Sequence, residues 1–271
     1  MYYKRKNNTD RLRLLCNKKT QINEIILNPK RIYPLKINRM PDNQLILKAV
    51  KPVLILPTKV DLRKKMPPIY DQGNLGSCTA NALCAAYTYV DPIYYGSRLF
   101  LYYNERLLGN NVKEDTGAYL SDGIVALKKY GLCTELEWPY NIRQFNVAPP
   151  EKCYVSGLKE RVIRATNIPN DLRSMKNCLN AGFPFVVGIK IYSSFESRTV
   201  TKTGVVPIPN SKNSLLGGHA VLVCGYDDSK KWWIVRNSWG TSWGDKGYFY
   251  LPYAYLTGHM ASDLWNITLV T

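Results

Sequence analysis

One stretch constrains this chain more than any other. In residues 71–83 a loop punctuated by glycines runs into a segment of small and apolar residues. Residues 79–89 contain neither glycine nor proline, which predicts a buried helix that begins at Ser77 or Cys78. A helix N-terminus carries partial positive charge, so a thiol there should ionise more readily than a solvent-exposed cysteine. Cys78 is therefore the first candidate for a reactive group.

A nucleophilic thiol needs a base, and the chain contains only two histidines, His219 and His259. His219 follows two glycines and precedes a β-like apolar run at residues 220–226, which predicts an exposed position at the mouth of a strand. His259 has no such setting, and we interpret it as a surface or loop residue. Farther along, Asn237 offers an amide to orient the imidazole, and Trp239 an aromatic ring to shield that contact. The order Cys, His, Asn is typical of nucleophilic catalysis.

A structural role is the main alternative for any cysteine, because cysteine is among the residues most often buried. For Cys78 the nearby glycine loop and the downstream His219 favour a reactive role. The same argument is lacking for Cys84, Cys178 and Cys224, which lie in apolar patterns, and we predict that these three are inert.

These residues resemble the papain family of cysteine peptidases, and the likeness covers roughly residues 58–269. The family signature has Cys-Gly-Ser-Cys followed by Trp or Tyr, with a histidine about 130–150 residues downstream. His219 lies 141 residues after Cys78, which fits. Leu75 stands in place of the first Cys and Thr79 in place of the aromatic, so one family disulfide is absent and one wall of the cleft is altered. Neither change removes a catalytic group.

The resemblance implies an α+β, two-lobed fold with a helical left lobe, an antiparallel β-barrel-like right lobe and the active-site cleft between them. We assign residues 1–56 to a basic extension and residues 57–271 to the peptidase domain. Within that domain the helical lobe is placed at about residues 71–155, and the β lobe at 57–70 and 156–271. Local patterns agree with this division. Helices are predicted at residues 79–89, 98–108, 120–130 and 171–181, and strands at 185–191, 219–226, 231–237, 247–251 and 263–269.

The resemblance also implies the chemistry of a cysteine endopeptidase. The Cys78 thiolate would attack a peptide carbonyl, and His219 would protonate the leaving amine and then activate water. Asn237 would hold the imidazole, and Trp239 would keep water from that hydrogen bond. Gln72, six residues before Cys78, would join the Cys78 backbone N–H as an oxyanion donor.

Gly117 and Ala118 stand where the family uses glycine backbone to pair with an extended polypeptide substrate. Two other functions stay open: a homologue that binds peptides without turnover, and an exopeptidase or acyltransferase on the same scaffold. No Cys/His set has zinc-site spacing and no phosphate-binding or dinucleotide fingerprint is present, so we expect neither metal nor cofactor. We predict that the protein is a monomer.

The net charge of +17 is concentrated at the start of the chain, where the first 50 residues hold 12 Lys/Arg against three Asp/Glu. Such a segment could bind nucleic acid or an anionic surface, lie on an acidic face of its own enzyme, or form a solvated tail. In the papain family a prosegment commonly lies through the cleft and blocks it. We hypothesise that part of residues 31–56 does so here, with Tyr33 or Leu35 in an apolar subsite.

The cellular location is constrained only indirectly. No apolar run reaches 18 residues, and the basic start is not followed by a signal-peptide core, so we predict neither a transmembrane segment nor signal-peptide secretion. Seven cysteines without regular spacing suit a reducing compartment or a viral particle better than a disulfide framework. Cys133 and Cys153 are the one pair for which a disulfide is considered. The variant motif looks closer to bacterial and large-DNA-virus members than to lysosomal ones.

Overall fold

The structure is a computed structural model that describes residues 31–36 and 55–271. The chain divides into two compact units, residues 1–31 and 32–271, and the second is described here. Its helices are α1 (Cys78–Val90), α2 (Arg98–Leu108), α3 (Leu120–Lys129), α4 (Glu151–Gly157), α5 (Leu172–Asn180), α6 (Arg198–Thr203) and α7 (Tyr253–Thr257). Its strands are β1 (Lys59–Asp61), β2 (Val162–Asn167), β3 (Phe185–Tyr192), β4 (Leu215–Asp227), β5 (Trp232–Arg236), β6 (Tyr248–Pro252) and β7 (Ala261–Val270).

Three helices, α1 to α3, form the centre of one half of the molecule. Helix α1 is buried along all but its last residue, which confirms the buried helix predicted from its small and apolar sequence. Helix α2 begins after Ser97, whose hydroxyl accepts a hydrogen bond from the Phe100 N–H, and it ends before Gly109. The helices enclose a core that includes Leu83, Phe100 and Leu127.

The other half is an antiparallel sheet in the order β2-β7-β3-β4-β5-β6, with β1 added to β4. The five predicted strands are present within a few residues as β3 to β7. The α+β, two-lobed prediction is confirmed, but the expected barrel-like closure is wrong. Among the described strands β2 and β6 lie at opposite ends of the order and do not pair, so the sheet is open.

Strand β4 separates two hydrophobic cores, because successive side chains of a strand point to opposite faces. Ala220 and Leu222 pack into the core of the helices, whereas Val221 and Val223 pack into the second core, on the far side of the sheet. Both faces are therefore buried. The uninterrupted apolar run of the strand follows from this position between two layers.

Five elements of the structure were not predicted, and two of them are the short helices α6 and α7. Strand β2 lies at the end of the strand order and buries only two of its six residues, so its sequence has no strong apolar signal. Strand β1 has three residues, and α4 has seven and buries only two of them. Such short or half-exposed elements form through tertiary contacts and carry little local pattern.

Two further predictions, on membrane-spanning segments and on metal sites, can be compared with the residues that the structure describes. In residues 31–36 and 55–271 no helix is long and apolar enough to cross a membrane. The same residues contain no cluster of three or more His, Cys, Asp or Glu side chains that could hold a metal ion. Most of the basic extension lies outside the described residues, and with it the prediction of binding to nucleic acid or an anionic surface.

Candidate active site

The predicted nucleophile, Cys78, is the first residue of α1, as the sequence indicated. Its side chain is buried, with 1% of the residue exposed. Burial raises the pKa of the thiol to about 12, although N–H groups of Ala220, Thr79 and Cys78 itself lower it in part. The expected ready ionisation is therefore wrong for this arrangement, because removal from water outweighs the helix terminus. The Ala220 contact also brings the residue after His219 against the sulfur.

His219 and Asn237 are joined by a hydrogen bond of 2.9 Å between Nε2 and Oδ1. The Asn237 Oδ1 also accepts the backbone N–H of Ser238 at 2.9 Å, which identifies that atom as the oxygen of the amide. Because an oxygen only accepts here, the His219 Nε2 must carry a hydrogen. In the neutral imidazole the lone pair is therefore on Nδ1, which leaves that atom to act as a base.

The structure corrects the predicted exposure of His219. The residue is 2% exposed and lies within β4, opposite Ile189 of β3, because the strand begins at Leu215, four residues before the predicted start at residue 219. Trp239 stacks on the imidazole with ring centroids 4.8 Å apart and an interplanar angle of 27°. Trp243 and Phe195 meet Trp239 edge-on, so the indole is held over the His219 ring. Trp239 thus contacts the imidazole, and its shielding of the hydrogen bond to Asn237 stays a prediction.

Gln72 is buried and held by its neighbours. Its Oε1 accepts the Ser238 hydroxyl at 2.6 Å, and its Nε2 donates to the Leu75 carbonyl at 2.9 Å. An amide nitrogen has two hydrogens, so this arrangement uses one and leaves another for a ligand. The Gln72 backbone N–H donates to the Ser238 carbonyl at 2.9 Å. This hydrogen bond connects the loop of Gln72, the predicted oxyanion donor, to the segment that carries Asn237.

Three residues that the sequence did not single out support the loop before Cys78. Asp115 accepts the Gly76 N–H at 3.0 Å with both carboxylate oxygens, and Tyr140 donates its hydroxyl to the Gln72 carbonyl at 3.0 Å. Ser238 is the third. Its position between Asn237 and a tryptophan could have been noticed, whereas nothing local marks Asp115 or Tyr140 as partners of a distant loop.

Backbone hydrogen bonds hold residues 33–36 across this site. The Gly218 N–H donates to the Tyr33 carbonyl at 3.1 Å, and the Leu35 N–H donates to the Gly218 carbonyl at 3.3 Å. The Lys36 N–H donates to the Ala118 carbonyl at 3.2 Å. Ala118 thus pairs with an extended segment, the kind of contact predicted for it with substrate.

The side chains of residues 33–35 pack against residues of the candidate active site. The Tyr33 ring meets His219 edge-on at 6.4 Å between centroids, and Leu35 is 93% buried and packs against Gly188. Gly117 lies directly beneath Pro34: it has a φ of +68°, and a Cβ there would stand 2.1 Å from the Pro34 carbonyl oxygen. Glycine is required at this position for both reasons.

The other cysteines and His259 are not among the residues that form the candidate active site. Cys84, Cys178 and Cys224 are buried, and burial raises the pKa of each thiol. Cys133 and Cys153 are both buried as free thiols and hydrogen-bond to each other. Cys16 lies outside the described residues. His259 is in the turn that follows α7 and is exposed, as predicted for a surface or loop histidine.

Comparison with known proteins agrees with the geometry. A family description, the papain family cysteine protease, matches residues 56–261. An uncharacterized peptidase C1-like protein of Acanthamoeba polyphaga mimivirus is 42% identical over 216 residues, covering 74% of this chain and 70% of the viral protein. A cathepsin B-like protein of Giardia intestinalis is 28% identical over 214 residues, covering 72% of this chain and 68% of its own.

Solved structures show the same fold. Xylellain, a cysteine protease from Xylella fastidiosa, superposes with a TM-score of 0.80 at 35% identity, covering 91% of this chain and all of the other. A digestive procathepsin L from Tenebrio molitor larval midgut has a TM-score of 0.64 at 19% identity, over 93% and 86% of the two chains, and supports the fold alone. These matches span most of the chain with a two-lobed peptidase fold. The chain belongs to the papain family of cysteine proteases.

Proposed function

We propose that the protein is a cysteine endopeptidase that works through an acyl-enzyme, with Cys78 as nucleophile, His219 as acid and base, and Asn237 as the group that orients the imidazole. The observation that carries this proposal is the hydrogen bond from His219 Nε2 to Asn237 Oδ1. Since that bond fixes the hydrogen on Nε2, the basic lone pair belongs to Nδ1, the atom required to take the thiol proton.

The proposed reaction has two stages. The Cys78 sulfur gives its proton to His219, attacks the substrate carbonyl carbon and forms a tetrahedral oxyanion. Donation by the remaining Gln72 N–H and by the Cys78 backbone N–H would stabilise that oxyanion. Collapse expels the amine, which takes the proton from His219. Water then loses a proton to the imidazole, attacks the thioester and releases the carboxylic acid with a free thiol.

The path of residues 33–36 favours an endopeptidase over an exopeptidase. One continuous segment runs from Tyr33, against His219 and Trp239, to Lys36, over the Tyr119 ring. The groove therefore admits extended chain on both sides of the reactive groups. An exopeptidase needs one end of its groove closed.

We further propose that this segment is the inhibitory part of a short N-terminal prosegment. Three observations support it: the backbone pairing with Gly218 and Ala118, the burial of Leu35, and the raised pKa of the Cys78 thiol beneath the covered surface. A thiol kept protonated and out of water is a poor nucleophile. Release of the segment would both open the groove and let the pKa of the thiol fall.

Activity can be tested on quenched-fluorescence peptides blocked at both termini, which only an endopeptidase cleaves. We expect Leu35→Asp in the full chain to free the groove and turn over such peptides, and the additional change Cys78→Ser to abolish turnover. Cys84→Ser, in the same helix, is the matched control and should keep the activity. Cleavage that persists with serine at position 78 would refute the assignment of the nucleophile.

Inhibition by the segment has a separate measurement. Iodoacetamide should label Cys78 of the unaltered full chain slowly and that of the Leu35→Asp chain at least tenfold faster, because charge in an apolar site is costly and displaces the segment. Mass spectrometry of tryptic peptides locates the label. Equal labelling rates in the two proteins would show that residues 33–36 do not control the thiol.

A further inference from the structure

Next to Leu35, the Lys36 ammonium contacts two side chains of the groove, Tyr119 and Asn111. The Lys36 ammonium lies 5.9 Å from the centroid of the Tyr119 ring, on its face. The same nitrogen lies 2.8 Å from the side-chain amide of Asn111. The Tyr119 ring and the Asn111 amide together define the position of the Lys36 ammonium.

Donor and acceptor chemistry determines how the Asn111 amide is oriented. An ammonium only donates, so the amide atom facing Lys36 must be the oxygen. In that orientation the amide nitrogen donates to the Arg106 carbonyl at 2.9 Å and the oxygen also accepts the Thr116 hydroxyl at 2.5 Å. Every polar atom of the amide is then satisfied. The site is therefore built by its own surroundings and offers an oxygen to a positive group.

The position of this site relative to the thiol follows from the segment that occupies it. Pro34 packs against the loop of Gly76, two residues before Cys78, and Leu35 fills the apolar site. Lys36 comes next, with its backbone N–H on the Ala118 carbonyl. Because His219 protonates the leaving amine and Tyr33 lies against His219, the acyl part of a substrate occupies the side of Leu35 and Lys36, and a substrate runs opposite to the segment. Extended chains advance by the same spacing per residue in either direction, so a substrate would place a side chain at the point that Lys36 occupies.

We propose that this enzyme prefers substrates in which a lysine or arginine is followed by an apolar residue and then by the residue whose carbonyl is attacked. The inference rests on the proposed peptidase function and names its substrate class. Tyr119 supplies the ring face and Asn111 the oxygen. In the closed protein the Lys36 side chain occupies the site that a substrate cation would take.

The test uses the full chain carrying Leu35→Asp and three substrates, acetyl-Xaa-Leu-Gly-aminomethylcoumarin, where Xaa is lysine, norleucine or glutamate. Norleucine has the four-carbon side chain of lysine without the ammonium group. We expect kcat/KM for the lysine peptide to exceed that for norleucine about tenfold, as cation–π and charge-assisted contacts suggest, with glutamate lowest.

Two variants separate a binding role from a structural one. Tyr119→Leu removes the ring face, and we expect the lysine-to-norleucine ratio of kcat/KM to fall below about threefold. Tyr119→Phe keeps the ring face and should keep the ratio. Loss of the ratio in both variants would mean that Tyr119 acts only through the fold around it, and would overturn its role as a cation contact.

The possible results distinguish this proposal from the one on which it rests. If none of the peptides is cleaved, and the blocked quenched peptides are not cleaved either, the peptidase assignment itself fails. If all three are cleaved at equal rates, the peptidase assignment stands and the cation site is refuted. A basic preference found only after the scissile bond would likewise refute the position assigned here.

Discussion

Replacement of Glu105 by glutamine should change how the stability of the fold depends on pH. Glu105 is fully buried in α2, and its Oε2 accepts the Thr79 hydroxyl at 2.6 Å, next to the nucleophile. Its Oε1 has no hydrogen-bond partner among the described residues. Burial raises the pKa of this carboxyl well above its usual range; the Thr79 bond lowers it, and Asp122 raises it further. The adjacent Arg106 donates instead to backbone carbonyls.

The magnitude follows from proton linkage. A carboxyl whose pKa is raised by folding binds its proton in the folded state and loses it in the unfolded state above about pH 4.5, the ordinary value for glutamate. Stability then falls by about 1.4 kcal/mol for each pH unit between that value and the folded pKa. Glutamine keeps an oxygen for Thr79 and does not titrate. Between pH 5.5 and 7.5 the Glu105→Gln protein should therefore gain stability relative to the unaltered chain, by up to about 2.7 kcal/mol when the carboxyl keeps its proton in the fold over that whole range.

Urea unfolding followed by tryptophan fluorescence at pH 5.5, 6.5 and 7.5 measures this difference. A matched control is Glu137→Gln: burial tends to raise the pKa of Glu137, but hydrogen bonds from Thr134 lower it overall. The stabilising effect of the Glu137 carboxylate is lost only as pH falls below about 4.5, the ordinary pKa of glutamate. The difference in stability between the Glu137→Gln protein and the unaltered chain should therefore stay constant from pH 5.5 to 7.5. A pH-independent difference for Glu105→Gln would refute the argument that Glu105 is neutral in the fold.

Three further outcomes are expected. Gln72→Ala in the Leu35→Asp chain should lower kcat roughly a hundredfold with little change in KM, measured on blocked peptides, because an oxyanion donor acts in the transition state. Trp239→Ala should lower kcat by admitting water to the imidazole hydrogen bond, and Trp239→Phe should restore part of it; equal rates for the two variants would contradict shielding. The Ser229 hydroxyl and the Lys59 ammonium lower the pKa of Asp227 to about 2. The Asp227→Asn change should therefore destabilise the fold above about pH 4, and by less and less as pH falls towards 2. Urea titrations at each pH measure this dependence.

The sequence alone predicted the candidate reactive groups and the longer helices and strands. The helix after Cys78 could be predicted because its small, apolar residues are contiguous and its start is marked by a glycine loop. Strands β3 to β7 could be predicted because their segments are rich in β-branched and aromatic residues. The pairing of His219 with Asn237 was expected from order and resemblance, and the structure brings these two side chains within hydrogen-bond distance.

Only the tertiary structure decided the environment of those groups. Whether the Cys78 thiol ionises depends on what surrounds it, and Ala220, whose backbone N–H contacts the sulfur, lies more than 140 positions away along the chain. The burial of His219 depends on the register of β4 with β3, and the support of the nucleophile loop depends on Asp115. Desolvation and hydrogen bonding are set by distances in space, and no local pattern of residues specifies which distant groups will meet.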